Sequence, residues 1–411
     1  MLLPASLRKT ALLFALLCGL VLLLAQCIGG AAATPPDPRG AAFAGSAACR
    51  SCHAAQSDSH QGTAHYHSTD SAHTGTVAGF TAESGNRFRY NDSTWVQTER
   101  RDSGLFQVAY VHGKEVATAR GDIVFGNRHA QTFLHWRGAR TYELPLSYYY
   151  GAGRWGTSPG FSATHPRFDR FIGRSCFECH SSWIGSRPVS SPTGIEEALD
   201  RGSIIYGIDC ERCHGPAAQH VAFHAANPKS KEGRHIARFA ALTRDQKLDV
   251  CAVCHSGSKK MQERSTFYFR PGDTLANYYL LWREQSERSA ESAGGFDVHG
   301  NQFGLLTESA CFRNTKTLDC SSCHKPHSDA SRDLRGYSQV CSSCHRAVQH
   351  DFDNRPEQVT AAKNNCIDCH MPLGASSAIT FQLSDSAGPS AYRLRTHRIG
   401  IYPQGSAPAK Q

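Results

Sequence analysis

Cys176-Phe177-Glu178-Cys179-His180 is one of seven copies of a Cys-x-x-Cys-His pattern, and its reading decides how the rest of the chain is understood. The others are Cys49–His53, Cys210–His214, Cys251–His255, Cys320–His324, Cys341–His345 and Cys366–His370. Two thiols one helical turn apart can each form a thioether to a haem vinyl group, and the histidine that follows then lies under the iron as its proximal ligand. Composition alone would supply about 0.04 copies in a chain of this length. Zinc knuckles and ribbons also use Cys-x-x-Cys pairs, but zinc does not require histidine directly after every second cysteine. The pattern therefore predicts seven covalently bound haem c groups. Their attachment cysteines are Cys49 and Cys52, Cys176 and Cys179, Cys210 and Cys213, Cys251 and Cys254, Cys320 and Cys323, Cys341 and Cys344, and Cys366 and Cys369. The proximal iron ligands are His53, His180, His214, His255, His324, His345 and His370.

Composition agrees with this reading. A chain of 411 residues ordinarily makes two or three domains, but a haem is a large flat apolar body that can stand in for a side-chain core. The motifs consume 14 of the 17 cysteines and leave Cys18, Cys27 and Cys311, so disulfides are not the staple. A formal charge of +9 would suggest nucleic acid or an anionic membrane. Seven haems would add about 14 propionates, however, and arginine suits a carboxylate bidentately. No nucleic-acid role is expected.

Residues 1–33 read as an export signal: Arg8 and Lys9, an apolar stretch Ala11–Ala25, then the small residues Ala31-Ala32-Ala33 before Thr34. A lipoprotein site at Cys27 and an uncleaved membrane anchor over Ala11–Ala33 are the alternatives. All three place the body outside the cytoplasm, in the periplasm or an equivalent compartment.

Residues 34–46 are rich in Pro, Gly and Ala and read as a linker. Residues 47–175 hold the first motif and a region of alternating residues. There Arg87–Tyr90, Thr94–Thr98, Leu105–His112 and Glu115–Ala119 predict a small antiparallel sheet with turns at Asp102-Ser103-Gly104 and His112-Gly113-Lys114. The aromatics of Gly126–Gly160, among them Tyr148, Tyr149, Tyr150 and Trp155, are expected to wall a porphyrin face. Residues 176–372 carry six motifs on short helices. Thr193-x-x-Glu196 predicts a capped helix over Ile195–Arg201, and the spacing of Leu275, Tyr278, Tyr279 and Trp282 predicts another over Thr274–Ala293. Residues 373–411 read as a tail with little structure. The residues themselves thus predict short helices at the motifs and one small inserted antiparallel β element.

What fills the second axial position of each iron decides function: two ligands make an electron carrier, an open side permits substrate chemistry. Fifteen histidines lie outside the motifs against three methionines, so bis-histidine ligation is the default. His327 follows His324 too closely to reach the far side of the same haem, so any iron it binds belongs to a neighbour. His350 after His345 invites the same argument, and so does His220 after His214. His112 falls in a turn and reads as solvent-exposed, while His224 and His235 have no supporting context.

The stretch Gly121–Trp183 resembles a family of multihaem cytochromes often fused to tetratricopeptide repeats. Its superfamily includes the nitrifiers' tetrahaem cytochrome, hydroxylamine oxidoreductase and cytochrome c nitrite reductase. The matching residues are Phe125-Gly126-Asn127-Arg128-His129-Ala130-Gln131-Thr132-Phe133-Leu134, Glu143-Leu144-Pro145-Leu146 and Ser158-Pro159-Gly160-Phe161. They continue through Cys210–Pro216, Ser309–Phe312 with Cys320–His327, and Cys366–Pro372. The resemblance implies a mainly helical, haem-stacked fold with few strands, and it implies distal ligands at His65, His129, His165, His220, His299, His327 and His397, with His350 as an eighth candidate. Polar residues around Ser59-His60 replace the family's usual aromatic, which leaves His60, His65 and His67 open as alternatives.

Three functions are compatible with this pattern. The first is an exported relay of single electrons between redox partner proteins. The second is an oxidoreductase acting on a small nitrogen or sulfur oxyanion at one five-coordinate haem, against which stands the absence of any Cys-x-x-Cys-Lys motif. The third is the subunit of a conducting filament. Cys311 reads as a small buried hydrophobe.

Overall fold

From Arg87 to Arg120 apolar and polar residues alternate, and an extended chain places alternate side chains on opposite faces. A computed structural model of the protein describes residues 17, 36–73, 75–80, 85–192, 194–257, 264–279, 296–347, 350, 364–384 and 388–402. Residues 1–41 and 42–411 form separate units, and the second holds all seven attachment motifs. After a short strand, β1 (Thr69–Ser71), the alternating stretch is a four-stranded antiparallel meander of β2 (Arg87–Arg89), β3 (Thr94–Arg101), β4 (Gly104–Val111) and β5 (Lys114–Arg120). The β4–β5 turn has His112 at φ 49° and Gly113 at φ 76°. Positive φ at both central residues gives the turn a twist that matches the paired strands.

Strand formation continues past the meander. Strands β6 (Ile123–Phe125), β7 (Ala130–Arg137), β8 (Arg140–Glu143), β9 (Leu146–Tyr149), β10 (Arg154–Thr157) and β11 (Arg170–Ile172) join β1 in a seven-stranded sheet. Its order is β1-β6-β7-β8-β11, with β9 paired to β7 and β10 to β9. The two sheets share one core: Phe88, Val96, Leu105 and Ala109 meet Phe133, Leu144, Leu146 and Trp155. Gln107 is fully buried there, and its amide pairs with Leu146 N and O at 2.8 and 2.7 Å. The expected aromatic wall is therefore redirected. Trp155 stacks on Phe133 at 5.3 Å and donates its indole N–H to Gly79 O at 3.0 Å, so it packs the sheets.

Two hairpins overturn local expectations. In place of the helix expected over Ile195–Arg201, β12 (Ser181–Ser191) and β13 (Gly194–Tyr206) pair antiparallel; Thr193, the proposed cap, lies outside the described residues. Pairing with β12 and burial of Ala198 and Leu199 outweigh the capping signal. In place of an unstructured tail, β14 (Leu373–Phe381) pairs with β15 (Ser390–Arg395). The first of these docks on the large sheet through Thr157 N to Gln382 O at 2.9 Å and Gly160 N to Thr380 O at 3.1 Å.

Helices are short: α1 (Ser46–Arg50), α2 (Ala54–Gln61), α3 (Arg174–His180), α4 (Cys210–His214), α5 (Ala218–Ala226), α6 (Arg244–His255), α7 (Gln302–Thr307), α8 (Ala310–Asn314), α9 (Leu334–Cys344) and α10 (Ile367–His370). The protein is about 27% helical and 30% strand, with several antiparallel sheets. The expectation of a mainly helical protein with one small β element is thus corrected. An attachment motif needs only one helical turn, so seven motifs make little helix, and the β-branched and aromatic stretches between them pair as strands. Of the helix expected over Thr274–Ala293, residues 280–293 lie outside the described residues. Leu275–Asn277 is a 3₁₀ turn, and Leu275, Tyr278 and Tyr279 pack on α6. Among the described residues no helix is long and apolar enough to cross a membrane.

Candidate functional site

A helical turn puts residues i and i+3 on one face, which aims both thiols of a motif the same way. The chain supplies that turn at each copy. Cys49–His53 bridges α1 and α2, and Cys176–His180 lies in α3. Cys210–His214 is α4, capped by Asp209, which accepts from Arg212 N at 2.8 Å. Cys251–His255 is the last turn of α6, whose start carries a capping box of Thr243 and Gln246. Cys320–Ser322 is a 3₁₀ turn capped by Asp319, α9 ends in Cys341 and Cys344, and α10 carries the last motif.

Opposite these turns stand second imidazoles. An imidazole nitrogen lies about 2 Å from a bound first-row metal and about 1.1 Å from its own ring centre, so trans ligands on one iron hold their centroids about 6 Å apart. His53 faces His220 at 6.5 Å, His255 faces His65 at 6.1 Å, and His214 faces His327 at 5.9 Å. His324 faces His397 at 6.1 Å and His370 faces His350 at 6.1 Å. Metal-bound histidines characteristically donate their other ring N–H to a carbonyl or carboxamide oxygen. His220 Nδ1 does so to Arg234 O at 2.7 Å, His370 Nδ1 to Gly400 O at 2.8 Å, and His255 Nδ1 stands 3.2 Å from Gln302 Oε1. In each case Nε2 is left for a metal. Burial, reinforced by neighbouring imidazoles, lowers His65, His180 and His397 to about 4, so these rings are neutral near pH 7, the form that ligates metal. Among the described residues no three His, Cys, Asp or Glu side chains converge as a tetrahedral zinc site requires. The donor set is one of thiol pairs and imidazole pairs, and it fits haem c.

The three alternatives near the first motif separate. His65 faces His255, while His60 spends Nε2 on Ile208 O at 2.8 Å and His67 stands 3.9 Å from Asp70. His224 likewise binds Glu232 O through Nε2. His112 is exposed in its turn, as expected. His299 lies close enough to His180 for its charge to be felt there, but the two rings are not in contact. His129 packs edge-on against Tyr392 at 5.6 Å, and His165 is exposed beside Thr164; neither faces a motif histidine. His345 is exposed, and among the described residues no ring faces it.

Residues that sequence reasoning passed over position these groups. Buried Glu211, inside the third motif, accepts from Ala44 N, Gly45 N and Ala217 N at 2.8–2.9 Å, so residues predicted as linker are clamped between the first and third motifs. Asp329 accepts from Ala64 N at 2.8 Å and from Arg128, which ties the His65 loop to the His327 loop. Gly207, at φ +63°, lies so close to the Tyr66 carbonyl that a Cβ would overlap it. Its preceding Tyr206 ends a strand, which is the one local hint of a turn there.

No protein-family model matches the chain. It is 23% identical over 209 residues to multiheme cytochrome MtrA of Shewanella baltica, covering 49% of this chain and 46% of that protein. It is also 23% identical over 184 residues to the high-molecular-weight cytochrome c of Nitratidesulfovibrio vulgaris, covering 42% and 30%. The chain thus spans less than half the length of the curated relatives it matches. A solved structure, the outer cell wall cytochrome OcwA, shares the fold with a TM-score of 0.50 at 16% identity, over 87% of this chain and 79% of that one. Repeated motifs, facing imidazoles and these likenesses point the same way and support a multihaem c-type cytochrome.

Proposed function

We propose that the protein is an exported seven-haem relay of single electrons. The observation that carries this reading is that five of the seven motif histidines each face a second imidazole at 5.9–6.5 Å. His53 with His220, His255 with His65, His214 with His327, His324 with His397, and His370 with His350 would hold five of the haem irons between them. Haem iron bound this way exchanges one electron between its ferric and ferrous states. The protein holds both ligands in place through either state. His220 and His370 are locked by carbonyls, and His327 is held by a loop whose backbone oxygen accepts from Ser59 Oγ at 2.6 Å. Little must then reorganise per electron. Export rests on the leader, and the partners are one-electron donors and acceptors.

Intact mass of the purified protein should correspond to seven haems on a chain beginning near Thr34, and the five paired sites should be low-spin in the ferric state. Replacing His327 with alanine should open one iron without loss of haem, because Cys210, Cys213 and His214 remain. An unchanged ferric spectrum in His327→Ala would remove the pairing from this reading.

A second reading, catalysis on a small nitrogen or sulfur oxyanion, has its place at His345, whose exposed ring faces no imidazole among the described residues. A high-spin ferric signal near one haem in seven, abolished by cyanide and absent from the Cys341→Ala/Cys344→Ala protein, would favour it. Its absence would favour the pure relay.

A further inference from the structure

We propose that Asp329 is a positioning residue for two irons at once, fixing His65 opposite His255 and His327 opposite His214. The proposal rests on the axial pairs of the relay reading above.

The two distal imidazoles come from loops far apart in sequence, and one carboxylate joins the loops. Asp329 lies two residues after His327, and its Oδ1 accepts from Ala64 N, the amide of the residue before His65, at 2.8 Å. Its Oδ2 takes the guanidinium of Arg128, in the turn between β6 and β7. A carboxylate paired with a guanidinium has little freedom to turn, so its other oxygen stays aimed at Ala64. Hydrogen bonds to a charged acceptor are also about twice as strong as neutral ones.

Each loop has a further tie. Ile208 N donates to His65 O at 2.9 Å, so the chain is held at His65 by Ile208 and one residue earlier by Asp329. His327 sits in a turn closed by Ser328 N to Lys325 O at 2.9 Å. That turn is carried onto α2 by Ser59 Oγ donating to His327 O at 2.6 Å, and onto the loop after α2 by Asp329. An iron keeps its distal imidazole only while the loop that bears it stays in place. Ser59 acts on one such loop. Asp329 acts on both, and so on the third and fourth attachment sites together.

Ferric spectra tell the two irons apart. The ring planes of His65 and His255 stand at 81°, those of His214 and His327 at 18°, and the other three pairs at 19°, 27° and 51°. Near-perpendicular imidazoles leave the two iron π orbitals almost degenerate, which gives a strongly anisotropic low-spin signal at low field. Near-parallel imidazoles split them and give a rhombic signal. The low-field signal therefore reports His65, and the rhombic signal that His327→Ala removes reports His327. In electron paramagnetic resonance of the ferric holoprotein, Asp329→Ala should shift both and leave the other signals in place. Ser59→Ala should shift only the second. Cyanide, which enters once a distal ligand leaves, should bind these two irons about tenfold faster in Asp329→Ala, the size expected when one hydrogen bond to a charged group is lost. Asp329→Asn keeps an acceptor for Ala64 N and should restore the low-field signal. A shift of one signal, of none or of all in Asp329→Ala would overturn the proposal, and so would a low-field signal that Asp329→Asn does not restore. Asp329 is 30% exposed, so its removal opens no core. Asp329→Ser, too short to reach Ala64 N, makes the same test if the alanine protein does not accumulate. An unaltered ferric protein without low-spin signals would overturn the relay reading and this proposal together. Low-spin signals with no low-field one among them, or unmoved by Asp329→Ala, would overturn this proposal alone.

Discussion

The region 69–206 and the region 296–372 are built on opposite plans. The first is a set of sheets that bury their own side chains: Phe133, Leu144 and Leu146 are fully inaccessible, and Trp155 is 1% exposed. The second carries three attachment motifs and buries little. Its described apolar residues in the interior are Val298, Leu305, Phe312 and Ile367, and the eleven residues of α9 bury only Ser338. Cys323, Cys344 and Cys369 are exposed. A helix of that length is marginal in water without a packed face. The contrast teaches that the β region packs its own side chains, whereas the motif-dense region, on the proposed reading, would use haem as its packing partner.

The largest expected effect comes from that contrast. In chain expressed without haem-attachment machinery, hydrogen exchange should leave the amides of β3 and β4 protected and those of residues 320–345 unprotected. Equal protection in both regions would break the comparison. Trp155→Ala should then cost about 3 to 5 kcal/mol of stability, the usual range for deleting a buried aromatic, with the haem absorption spectrum unchanged. A spectral change would mean that the β core and the haem sites are not separate.

A smaller effect should appear at Glu143, which is 5% exposed on β8 beside half-exposed Arg170 at 3.2 Å. Burial outweighs the arginine and raises its carboxyl from 4.5 to about 7. The folded state therefore keeps a proton that the unfolded chain has released, and stability falls as pH rises from about 4.5 to 7. Glu143→Gln should remove that slope and gain up to about 3 kcal/mol at pH 8 relative to the unaltered protein, with no gain at pH 4. Chemical denaturation at the two pH values checks it. The smallest effect is the most local. Gly207→Ala forces the Tyr66 carbonyl to move, and with it the loop bearing His65. The thermal midpoint should fall, because alanine is strained at this positive φ and meets backbone, and the ferric signal of one haem should broaden or turn high-spin. A large loss of stability with no spectral change would place Gly207 in the packing of the β region instead.

Much of the site could be read without coordinates. Seven motifs are visible by inspection, because thioether chemistry demands two thiols and a histidine at fixed local spacing. The short distance His324–His327 argues against same-haem ligation, since so few residues cannot cross a macrocycle, and His350 after His345 and His220 after His214 invite the same argument. The meander was legible too, from alternation over Thr94–Val111 and a glycine in the turn.

The rest depended on contacts distant in sequence. Strand β13 carries a helix-capping signal, yet pairing with β12 overrides it. That His65 faces His255 while His60 does not turns on Ile208 O, 148 residues away, occupying the His60 ring. Trp155 faces sheet instead of porphyrin because β10 folds back onto the core under the meander. The sequence by itself determined the chemistry, because covalent attachment is local and leaves a local mark. Only the tertiary structure decided the β-rich architecture and the facing of imidazoles from separate stretches of chain, because these are long-range packings whose free energy is set by surfaces that no single stretch of chain contains.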